Sequence, residues 1–556
     1  MMSKRISVTA LLVSMFLLCS AAYAQQDQFR RLRMDDYVDK MMGGWIGQMA
    51  GVGWGGPTEG DFMNEIMPED AVPEWTPETV NQFDQDDLYV DMTFMRTLEL
   101  YGLGVSIRQA GIDFANSGYW LWHANSEGRS LLREGIAPPD SGHPQFNKHA
   151  DDIDYQIEAD FAGLIAPGMP NLAVELGEKF GRIMNYGDGV YGGQFMGAMY
   201  AEAFFEDDPE KLIEAGLTYI PEGSQYHECM SDVLKWYRQY PDDWQTTWKL
   251  VSEKYHSTEA YGRFRCVEDL SEFNIDAKFN GAWVVVGMLY GEGDPDDTIV
   301  VSMRCGEDSD CNPSSAAGIM FTALGLRNLP EKYTVGLDRE GKFAYSPYTF
   351  PDVVRVSQRL VRQAVLRAGG RIEKDEDGNE VLVIPVEPPR PSKLEQSWEP
   401  GPIANSKFTE GEMRMINWPP MEKAVAKVLP GWSIRDWGFG SSPGLYPELA
   451  GKKNVLVTTP KEWGRGCVLS KKVSIPAGKT TTLSFSAGSQ LWSQCGVTVK
   501  ADATELKTVR VNRNTTDERG WVNVDVDLSP YAGKEIVLDL VGRGVTFWHS
   551  IALTSN

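Results

Sequence analysis

Apolar residues recur at helical spacing along most of the first 370 residues of the chain. The alternation of apolar and polar positions that would indicate strands is almost absent from this region. We therefore predict one large all-α domain over residues 30–370. The helical segments lie at residues 37–47, 92–103, 172–184, 193–205, 232–238, 281–290, 297–303, 314–324 and 350–366.

The pattern changes beyond residue 370. Residues 371–384 (RIEKDEDGNEVLVI) predict a small hairpin, and the prolines at 385, 388, 389 and 391 predict an extended linker, so we assign 371–430 to these two features. Residues 431–556 carry short alternating runs separated by Gly, Pro, Asn and Asp, which predict an antiparallel β-sandwich. The expected strands lie at residues 455–458, 481–486, 497–500, 509–511, 522–528, 535–540 and 545–551.

Residues 1–24 are typical of a secretory signal peptide. Lys4 and Arg5 precede an apolar run over residues 6–18, and Ala22-Tyr23-Ala24 provides a cleavage site. Cys19 would allow a lipoprotein, but the preceding Leu18 does not suit that signal. Later apolar runs are shorter than the about 18 residues that a membrane span needs. We expect a secreted or periplasmic protein without a membrane span.

Charge and cysteine spacing exclude several classes of protein. The formal net charge is -25 at pH 7 and no basic stripe compensates it, which argues against a nucleic-acid partner. The cysteines form no C-x-x-C motif, so neither a zinc ribbon nor a redox site is indicated. Pairing of Cys467 with Cys495 stays open, as does the role of the sandwich, which would be carbohydrate-binding or purely structural. Its tryptophans at 463, 492, 521 and 548 would serve as sugar platforms or as core residues.

Two short acidic clusters carry the chemistry. Asp86 and Asp87 precede a helical stretch, where carboxylates also occur as simple capping groups, and Asp91 follows one turn later on the same face. Asp308 and Asp310 also precede a helix, and capping accounts for only one of them. Carboxylates at alternate positions of a turn can bind one hard cation, although the EF-hand spacing is missing. Together the clusters predict a metal-assisted hydrolase.

A third feature is the glycine-rich stretch at residues 43–60, which ends in a loop whose single carboxylate is Glu59. Glycines in its helical part permit close helix packing, and those in its loop permit close approach to a ligand. By itself Glu59 would be either an ordinary surface residue or a catalytic acid.

In their order and spacing, these three features resemble the ADP-ribosylglycohydrolase family, an all-helical fold with a two-magnesium site. The resemblance covers about residues 35–330. Val52 replaces an aspartate of the family's first motif, and Gln85 and Leu88 replace the threonines that flank Asp86 and Asp87. The late motif G-G-D-T-D-T-N corresponds to residues 306–312, with Cys311 in place of the last threonine. The D-x-D-C-N form and residues 280–283 resemble a secreted bacterial branch. The matching positions of the first motif are Gly43, Gly47, Ala50 (shifted by one position), Gly51, Gly55, Pro57 and Glu59.

The resemblance implies roles for particular residues. The cofactor would be one or two Mg²⁺ ions, with Mn²⁺ as an alternative because the Cys311 thiol is a softer ligand than a hydroxyl. Residues 125–160 would form a specificity loop. The implied metal ligands are Gln85, Asp86, Asp87, Asp308, Asp310 and Cys311; the implied catalytic residues are Glu59, Asp87 and Asp308; and the implied substrate-binding residues are Asp91, Asn147, Gln156, Asp160, Asp188 and Asn312.

We therefore expect a secreted metal-dependent glycoside hydrolase that cleaves a glycosidic bond, in a furanosidic sugar, with a metal-positioned water. An ADP-ribosyl or N-ribosyl hydrolase is the close alternative, and a non-catalytic glycan-binding protein is the alternative from another class. The expected partner is a carbohydrate or a ribosylated small molecule. Substrate sugar, linkage, anomeric outcome and oligomeric state are left open.

Overall fold

The structure is a computed structural model that describes residues 29–556 except 257, 263, 265–272, 417–420, 439–442, 462–464, 490–493 and 518. The predicted signal peptide lies outside the described residues. The chain divides into two compact units. Of the described residues, those up to Phe114 and those of Ala137–Ser406 form the helical unit. Those of Ala115–Ile136 and Lys407–Asn556 form the sheet unit.

The described part of the chain contains seventeen α-helices. None of these helices combines the length and the apolar character needed to cross a membrane. The helices are α1 Met34–Gly55, α2 Asp86–Tyr101, α3 Ile107–Ala115, α4 His123–Arg133, α5 Asp154–Ile157, α6 Asp160–Leu164, α7 Pro170–Phe180, α8 Asp188–Glu202, α9 Pro209–Leu217, α10 Gln225–Gln239, α11 Trp244–Val251, α12 Ala277–Tyr290, α13 Pro295–Arg304, α14 Cys311–Leu324, α15 Phe350–Arg367, α16 Glu410–Met413 and α17 Met421–Val428.

Each of the nine predicted helical segments falls on one of these helices, which confirms the all-helical fold of the N-terminal region. The sequence analysis missed shorter helices, among them α3, α4, α9 and α11. Helix α9 had a readable start, because Asp208 caps it by accepting from the amides of Glu210 and Lys211. Helix α4 corrects the reading of residues 125–160 as one continuous loop, since the first part of that segment is helical.

The packing of α1 on α14 positions the late acidic motif. Glycines recur every four residues along α1 and form a row without side chains. The backbone of the late motif and of α14 lies directly against this row. A Cβ atom on any of these glycines would overlap backbone atoms: at Gly43 it would lie 2.4 Å from the Phe321 carbonyl oxygen, at Gly47 2.4 Å from that of Ala317, at Gly51 2.4 Å from that of Pro313 and at Gly55 1.9 Å from that of Ser309.

A three-stranded sheet completes the helical unit, with strand order β1-β3-β2. Strands β2 (Arg371–Lys374) and β3 (Glu380–Pro385) form the predicted antiparallel hairpin, and β1 (Phe29–Arg33), which the sequence analysis missed, pairs with β3. The proline-rich stretch after β3, which the sequence predicts as part of a linker within 371–430, belongs to the helical unit as far as Ser406. Hydrogen bonds hold it there, including one from the Tyr191 hydroxyl to the Lys393 carbonyl.

The sheet unit contains two five-stranded sheets in a sandwich-like arrangement, which confirms the predicted fold class. Their strand orders are β10-β9-β12-β7-β4 and β11-β8-β13-β6-β5, with antiparallel neighbours. The strands are β4 Ser433–Arg435, β5 Gly444–Leu449, β6 Lys452–Thr458, β7 Cys467–Ser474, β8 Thr481–Gly488, β9 Cys495–Ala501, β10 Thr504–Val511, β11 Trp521–Asp527, β12 Glu535–Arg543 and β13 Thr546–Ser555.

Alternate residues of these strands fill the core of the sheet unit. Trp548 lies in this core and donates to the Thr458 hydroxyl, and Trp521 packs in a second buried cluster, so neither is an exposed sugar platform. Trp463 and Trp492, like Cys266, lie outside the described residues. Cys467 and Cys495 are buried free thiols and do not pair.

The segment Ala115–Ile136 lies between two stretches of the helical unit in the sequence, but it belongs to the sheet unit in the structure. The indole ring of Trp120 stacks on the ring of Tyr446 with centroids 5.5 Å apart, and it also contacts Phe547. Both partners belong to the second buried cluster of the sheet unit. Because this contact joins residues distant in sequence, the periodicity of the chain gave no sign of it.

Candidate metal centre

Two helix N-termini carry the predicted acidic residues. Gln85 occupies the N-cap position of α2, and Asp86 and Asp87 form its first turn. Asp310 is the N-cap residue of α14, and its Oδ1 accepts a 2.9 Å hydrogen bond from the Cys311 amide. A helix N-terminus favours a negatively charged side chain, because the free N–H groups and the positive end of the helix dipole lie there. Local sequence therefore explains why carboxylates stand at both positions.

The fold brings the early and the late acidic pairs together. One ligand atom each from Asp86, Asp87 and Cys311 lie within 4.8 Å of one another, and so do atoms from Asp308, Asp310 and Cys311. Cys311 belongs to both groups and so joins the two acidic motifs. These spacings suit one cation or two bridged cations.

Burial raises the pKa of each of the four aspartates, and neighbouring carboxylates raise it further at Asp87, Asp308 and Asp310. Burial raises the pKa of Asp86 to about 6, and burial followed by the charges of Glu59 and Asp87 raises that of Asp308 to about 7. The pKa values of Asp87 and Asp310 lie well above the usual range, first through burial and then through neighbouring carboxylates. The cluster therefore concentrates negative charge that only protons or cations can balance.

The donor set fits a divalent cation. Both carboxylate oxygens of Asp87 are buried, and neither has a hydrogen-bond partner among the described residues. A buried carboxylate without a partner is costly, so it is usually paired, protonated or bound to metal. Hard oxygen ligands from the aspartates suit Mg²⁺ or Mn²⁺, whereas the sulfur of Cys311 suits a softer ion.

Glu59 lies at the exposed edge of the cluster. Glu59 as a whole is exposed to solvent. The charge of Asp310, followed by burial of the carboxyl group and the charge of Asp86, raises the pKa of Glu59 to about 9. Thr58 and Ser309 connect this loop to the late motif through a 3.0 Å hydroxyl contact. Glu59 is thus an exposed acid that borders a buried acidic centre.

Gln85 and Asn312 flank the centre. A Cβ atom built on Gly56 would lie 3.6 Å from Gln85 Nε2 and 4.0 Å from Asp310 Oδ2, which places the Gln85 side chain beside the late motif. Asn312 is buried and donates through Nδ2 to Asn280 Oδ1 at 2.9 Å. Its Oδ1 has no partner in the described chain, so one polar atom remains available.

Asp91 and Asp160 form a deeper acidic pair. Both residues are fully buried. Burial raises the pKa of Asp91 well above the usual range; the hydrogen bond from Gln48 opposes this shift and the charge of Asp87 adds to it. Burial followed by the charge of Asp91 raises the pKa of Asp160 well above the usual range. Gln48 Nε2 donates to Asp91 Oδ2 at 3.3 Å, whereas neither oxygen of Asp160 has a hydrogen-bond partner among described residues. The charge of Asp87 acts on Asp91, so the acidic residues of the centre extend through Asp91 and Asp160 into the interior of the helical unit.

Asp188 belongs to a separate buried ionic group. Lys278 pairs with Asp276 at 2.6 Å, and Asp151 and Asp188 interact with the same ammonium group. Burial raises the pKa of Asp188 to about 6 although Lys278 opposes the shift. The group joins the first turns of α8 and α12. Lys278 was missed in the sequence, although it is the only charged residue of α12.

Asn147 and Gln156 make hydrogen bonds within the helical unit. Asn147 Nδ2 donates to the Met184 carbonyl at 2.8 Å, and its Oδ1 accepts from the His149 amide, so this side chain organises its own loop. Gln156 Oε1 accepts from the Tyr226 hydroxyl at 2.7 Å, while its Nε2 has no partner in the described chain. Most polar atoms of these two side chains are therefore satisfied by hydrogen bonds within the protein, without a substrate.

Comparisons with known proteins identify the family. The sequence model of ADP-ribosylglycohydrolase matches residues 33–367. The chain belongs to the ADP-ribosylglycohydrolase family, which indicates a glycohydrolase-type activity on ADP-ribosyl or glycosyl bonds. Members are generally metal-dependent, in agreement with the acidic clusters. No curated protein matches the sequence.

Several solved structures are similar to part of the chain. An ADP-ribosylglycohydrolase-related protein complex has 14% identity and a TM-score of 0.37, covering 59% of this chain and 99% of the other. The CBM22-1 xylan-binding domain from Paenibacillus barcinonensis Xyn10C has 13% identity and a TM-score of 0.18, covering 23% and 86%. The K3 cleaved adhesin domain of Lys-gingipain from Porphyromonas gingivalis has 13% identity and a TM-score of 0.18, covering 23% and 93%.

Proposed function

We propose that this chain is a secreted metal-dependent glycoside hydrolase that cleaves a glycosidic bond of a furanosidic sugar. The observation that carries the proposal is the convergence of Asp86, Asp87, Asp308 and Asp310 on one buried centre, with Cys311 common to both groups. Membership of the family supplies the reaction class.

The ligands of one or two divalent cations would be these four aspartates, with Cys311 and Gln85 completing the set. When bound, the cation orients sugar hydroxyls and lowers the pKa of a water molecule. Asp87 is the central ligand, because its two oxygens are buried and have no other partner in the described chain. Mg²⁺ suits the carboxylates, and Mn²⁺ accommodates the thiol better.

Glu59 transfers the proton. Cleavage of a glycosidic bond needs a group that protonates the leaving oxygen or removes a proton from water. Glu59 borders the acidic centre, is exposed to an incoming substrate, and has a pKa raised to about 9 by Asp310, burial and Asp86. It therefore holds a proton at neutral pH in the metal-free centre.

Two features favour a glycan as the substrate. The signal-peptide pattern at residues 1–24 implies export, and sandwich modules like the sheet unit often accompany secreted glycan hydrolases. Removal of ADP-ribose, or cleavage of another N-ribosidic bond, is the second candidate because the family acts on ADP-ribosyl bonds.

The test is hydrolysis of aryl furanosides, aryl pyranosides and ADP-ribosyl-arginine, each with EDTA and with added Mg²⁺ or Mn²⁺. We expect release from an aryl furanoside that EDTA abolishes and Mn²⁺ restores. Release only from ADP-ribosyl-arginine would select the second candidate. If no substrate is hydrolysed and the full chain still binds a glycan, the protein is a glycan-binding protein and not an enzyme.

Asp308→Asn should lower turnover at least about 100-fold, because a ligand of the cation is lost. The variant should still fold, since a neutral amide reduces repulsion in the metal-free centre. Asp70→Asn is the matched control, because Asp70 is exposed in a short turn and belongs to neither group of ligand atoms. Full turnover of Asp308→Asn would contradict the assignment of the site.

A further inference from the structure

Glu307 has a backbone conformation that glycine normally supplies. It lies in the loop between α13 and α14, and its φ is +54°, while Gly306 before it has a φ of +80°. A side chain at positive φ is strained, since Cβ approaches the backbone carbonyl oxygen. The family motif G-G-D-T-D-T-N has glycine at this position. A glutamate that replaces it needs a compensating interaction.

The carboxylate of Glu307 provides that compensation by joining two distant segments. Its Oε1 accepts a 2.7 Å hydrogen bond from the Asn64 amide, and its Oε2 accepts a 2.8 Å hydrogen bond from the Asn274 amide. The residue is 1% exposed, so both bonds are shielded from water. Hydrogen bonds from backbone amides to a buried carboxylate are among the stronger kinds in proteins.

The backbone of Glu307 holds the same loop. Its amide donates to the Phe62 carbonyl at 2.9 Å, and its carbonyl accepts from the Gly60 amide at 3.2 Å. Farther along, the Met67 amide donates to the Arg304 carbonyl at 2.9 Å. Residues 60–67 therefore run alongside residues 304–307 and are fastened to them at several points.

Glu59 lies between two of these attachments. Thr58 before it contacts the Ser309 hydroxyl, and Gly60 after it donates to the Glu307 carbonyl. The exposed Glu59 side chain thus obtains its position from neighbours that are bound to the late acidic motif. Asn64, held by Glu307, is also fixed through its side chain, which accepts from the Ser252 hydroxyl at 2.6 Å.

We propose that Glu307 is a positioning residue that clasps residues 58–66 and the segment beginning at Phe273 against the metal-binding loop, so that Glu59 faces the reacting bond. The inference rests on the proposed function, because it assigns to Glu307 the alignment of the proton-transferring residue. Both carboxylate oxygens of Glu307 accept from backbone amides, so the proposal assigns it no contact with the cation or the substrate.

The test compares Glu307→Gly and Glu307→Gln in the full chain. Glu307→Gly removes the two carboxylate hydrogen bonds of the clasp, leaves its backbone hydrogen bonds in place and relieves the positive-φ strain. Glu307→Gln keeps one acceptor for one of the two amides. We expect kcat to fall about 10- to 100-fold in Glu307→Gly, as small misplacements of catalytic groups do. KM and the Mn²⁺ dissociation constant should stay unchanged, and Glu307→Gln should give an intermediate kcat. Amide exchange in residues 58–67 should rise in the same order.

Glu65→Gln is the control, because it removes an exposed charge from the same loop and leaves the clasp intact. Wild-type kcat in Glu307→Gly, or Mn²⁺ affinity that falls in step with kcat, would overturn the proposal. If the wild-type chain hydrolyses no substrate, the proposed function fails. Amide exchange and Mn²⁺ affinity then decide on Glu307 alone, and unchanged exchange at residues 58–67 in Glu307→Gly would overturn the clasp.

Discussion

Cys311 is the residue at which the centre departs most from its family motif. A threonine hydroxyl is a hard ligand, whereas a thiol is soft and binds Mg²⁺ poorly. In the structure Sγ is directed at the acidic cluster, 3.5 Å from Asp310 Oδ1, and belongs to both groups of ligand atoms. Burial and the surrounding aspartates raise the pKa of this thiol, so only a bound cation would favour the thiolate.

We predict that Cys311 binds the cation directly. The Co²⁺-loaded protein should then show a thiolate-to-cobalt charge-transfer band in the near ultraviolet. Cys311→Thr should lose the band, and its preference for Mn²⁺ over Mg²⁺ should fall. Cys305→Ser is the control, since Cys305 is buried elsewhere and donates to the Val301 carbonyl. A wild-type protein without the band would mean that the thiol does not ligate the cation.

The raised pKa values predict that metal stabilisation depends on pH. The pKa of Asp86 is raised to about 6 and that of Asp308 to about 7, from about 4 in the unfolded chain. Their contribution to stability is therefore present below about pH 4 and lost as the pH rises through 6 and 7. A divalent cation offsets that loss by binding the charged forms.

The measurement is the thermal midpoint with EDTA and with Mn²⁺, between pH 5 and pH 8 at constant ionic strength. The shift caused by Mn²⁺ should grow as the pH rises, and it should grow less in Asp86→Asn. A shift of equal size at both ends of this range would contradict the prediction.

At the scale of elements, the glycine row of α1 decides where the late motif lies. Because Gly47 and Gly55 approach the backbone of residues 309–317 so closely, α1 and the start of α14 form one rigid support. The early motif at α2 and the late motif are separated by more than 200 residues of sequence, so only such packing can set their distance.

We predict that Gly47→Ala weakens both folding and metal binding. The added Cβ would lie 2.4 Å from the Ala317 carbonyl oxygen, and backbone cannot yield as a flexible side chain would. Overpacking of this kind costs about 1–3 kcal/mol, which exceeds the gain of about 1 kcal/mol in helix propensity. Urea unfolding and Mn²⁺ titration measure the two effects. Gly104→Ala, where a Cβ meets nothing within 4 Å, should change neither.

At the scale of the molecule, the sheet unit is completed by a segment from far earlier in the chain. Trp120 stacks on Tyr446 and contacts Phe547, and α4 follows it in the same segment. The unit therefore cannot be delimited by one continuous stretch of sequence, and a fragment that begins at residue 407 lacks these contacts.

We predict that Trp120→Ala lowers the free energy of unfolding of the sheet unit by about 2 kcal/mol, since a half-buried aromatic contact is lost. Trp120→Phe should recover part of that loss because it keeps the stacking. Tryptophan fluorescence during urea unfolding measures the change. Equal stability of Trp120→Ala and the wild type would show that the contact does not support the unit.

Several features of the centre were predictable from sequence because they are local. A carboxylate just ahead of a helical pattern is expected at a helix start, and Asp86, Asp87 and Asp310 occupy such positions. Glu307 was visible only as a departure from a motif; its left-handed backbone and its bonds to Asn64 and Asn274 required coordinates. Asn147 shows the converse, since a polar residue in a loop proved to organise that loop.

The sequence by itself determined the two kinds of secondary structure, the places where helices begin with acids, and the family, because hydrophobic periodicity and capping act between near neighbours in the chain. Only the tertiary structure decided that the early and late aspartates share one centre, that Glu307 fastens the Glu59 loop, and that Trp120 completes the sheet unit. Those contacts join residues far apart in the chain, and their geometry depends on close packing, such as that of the α1 glycines, which no local pattern encodes.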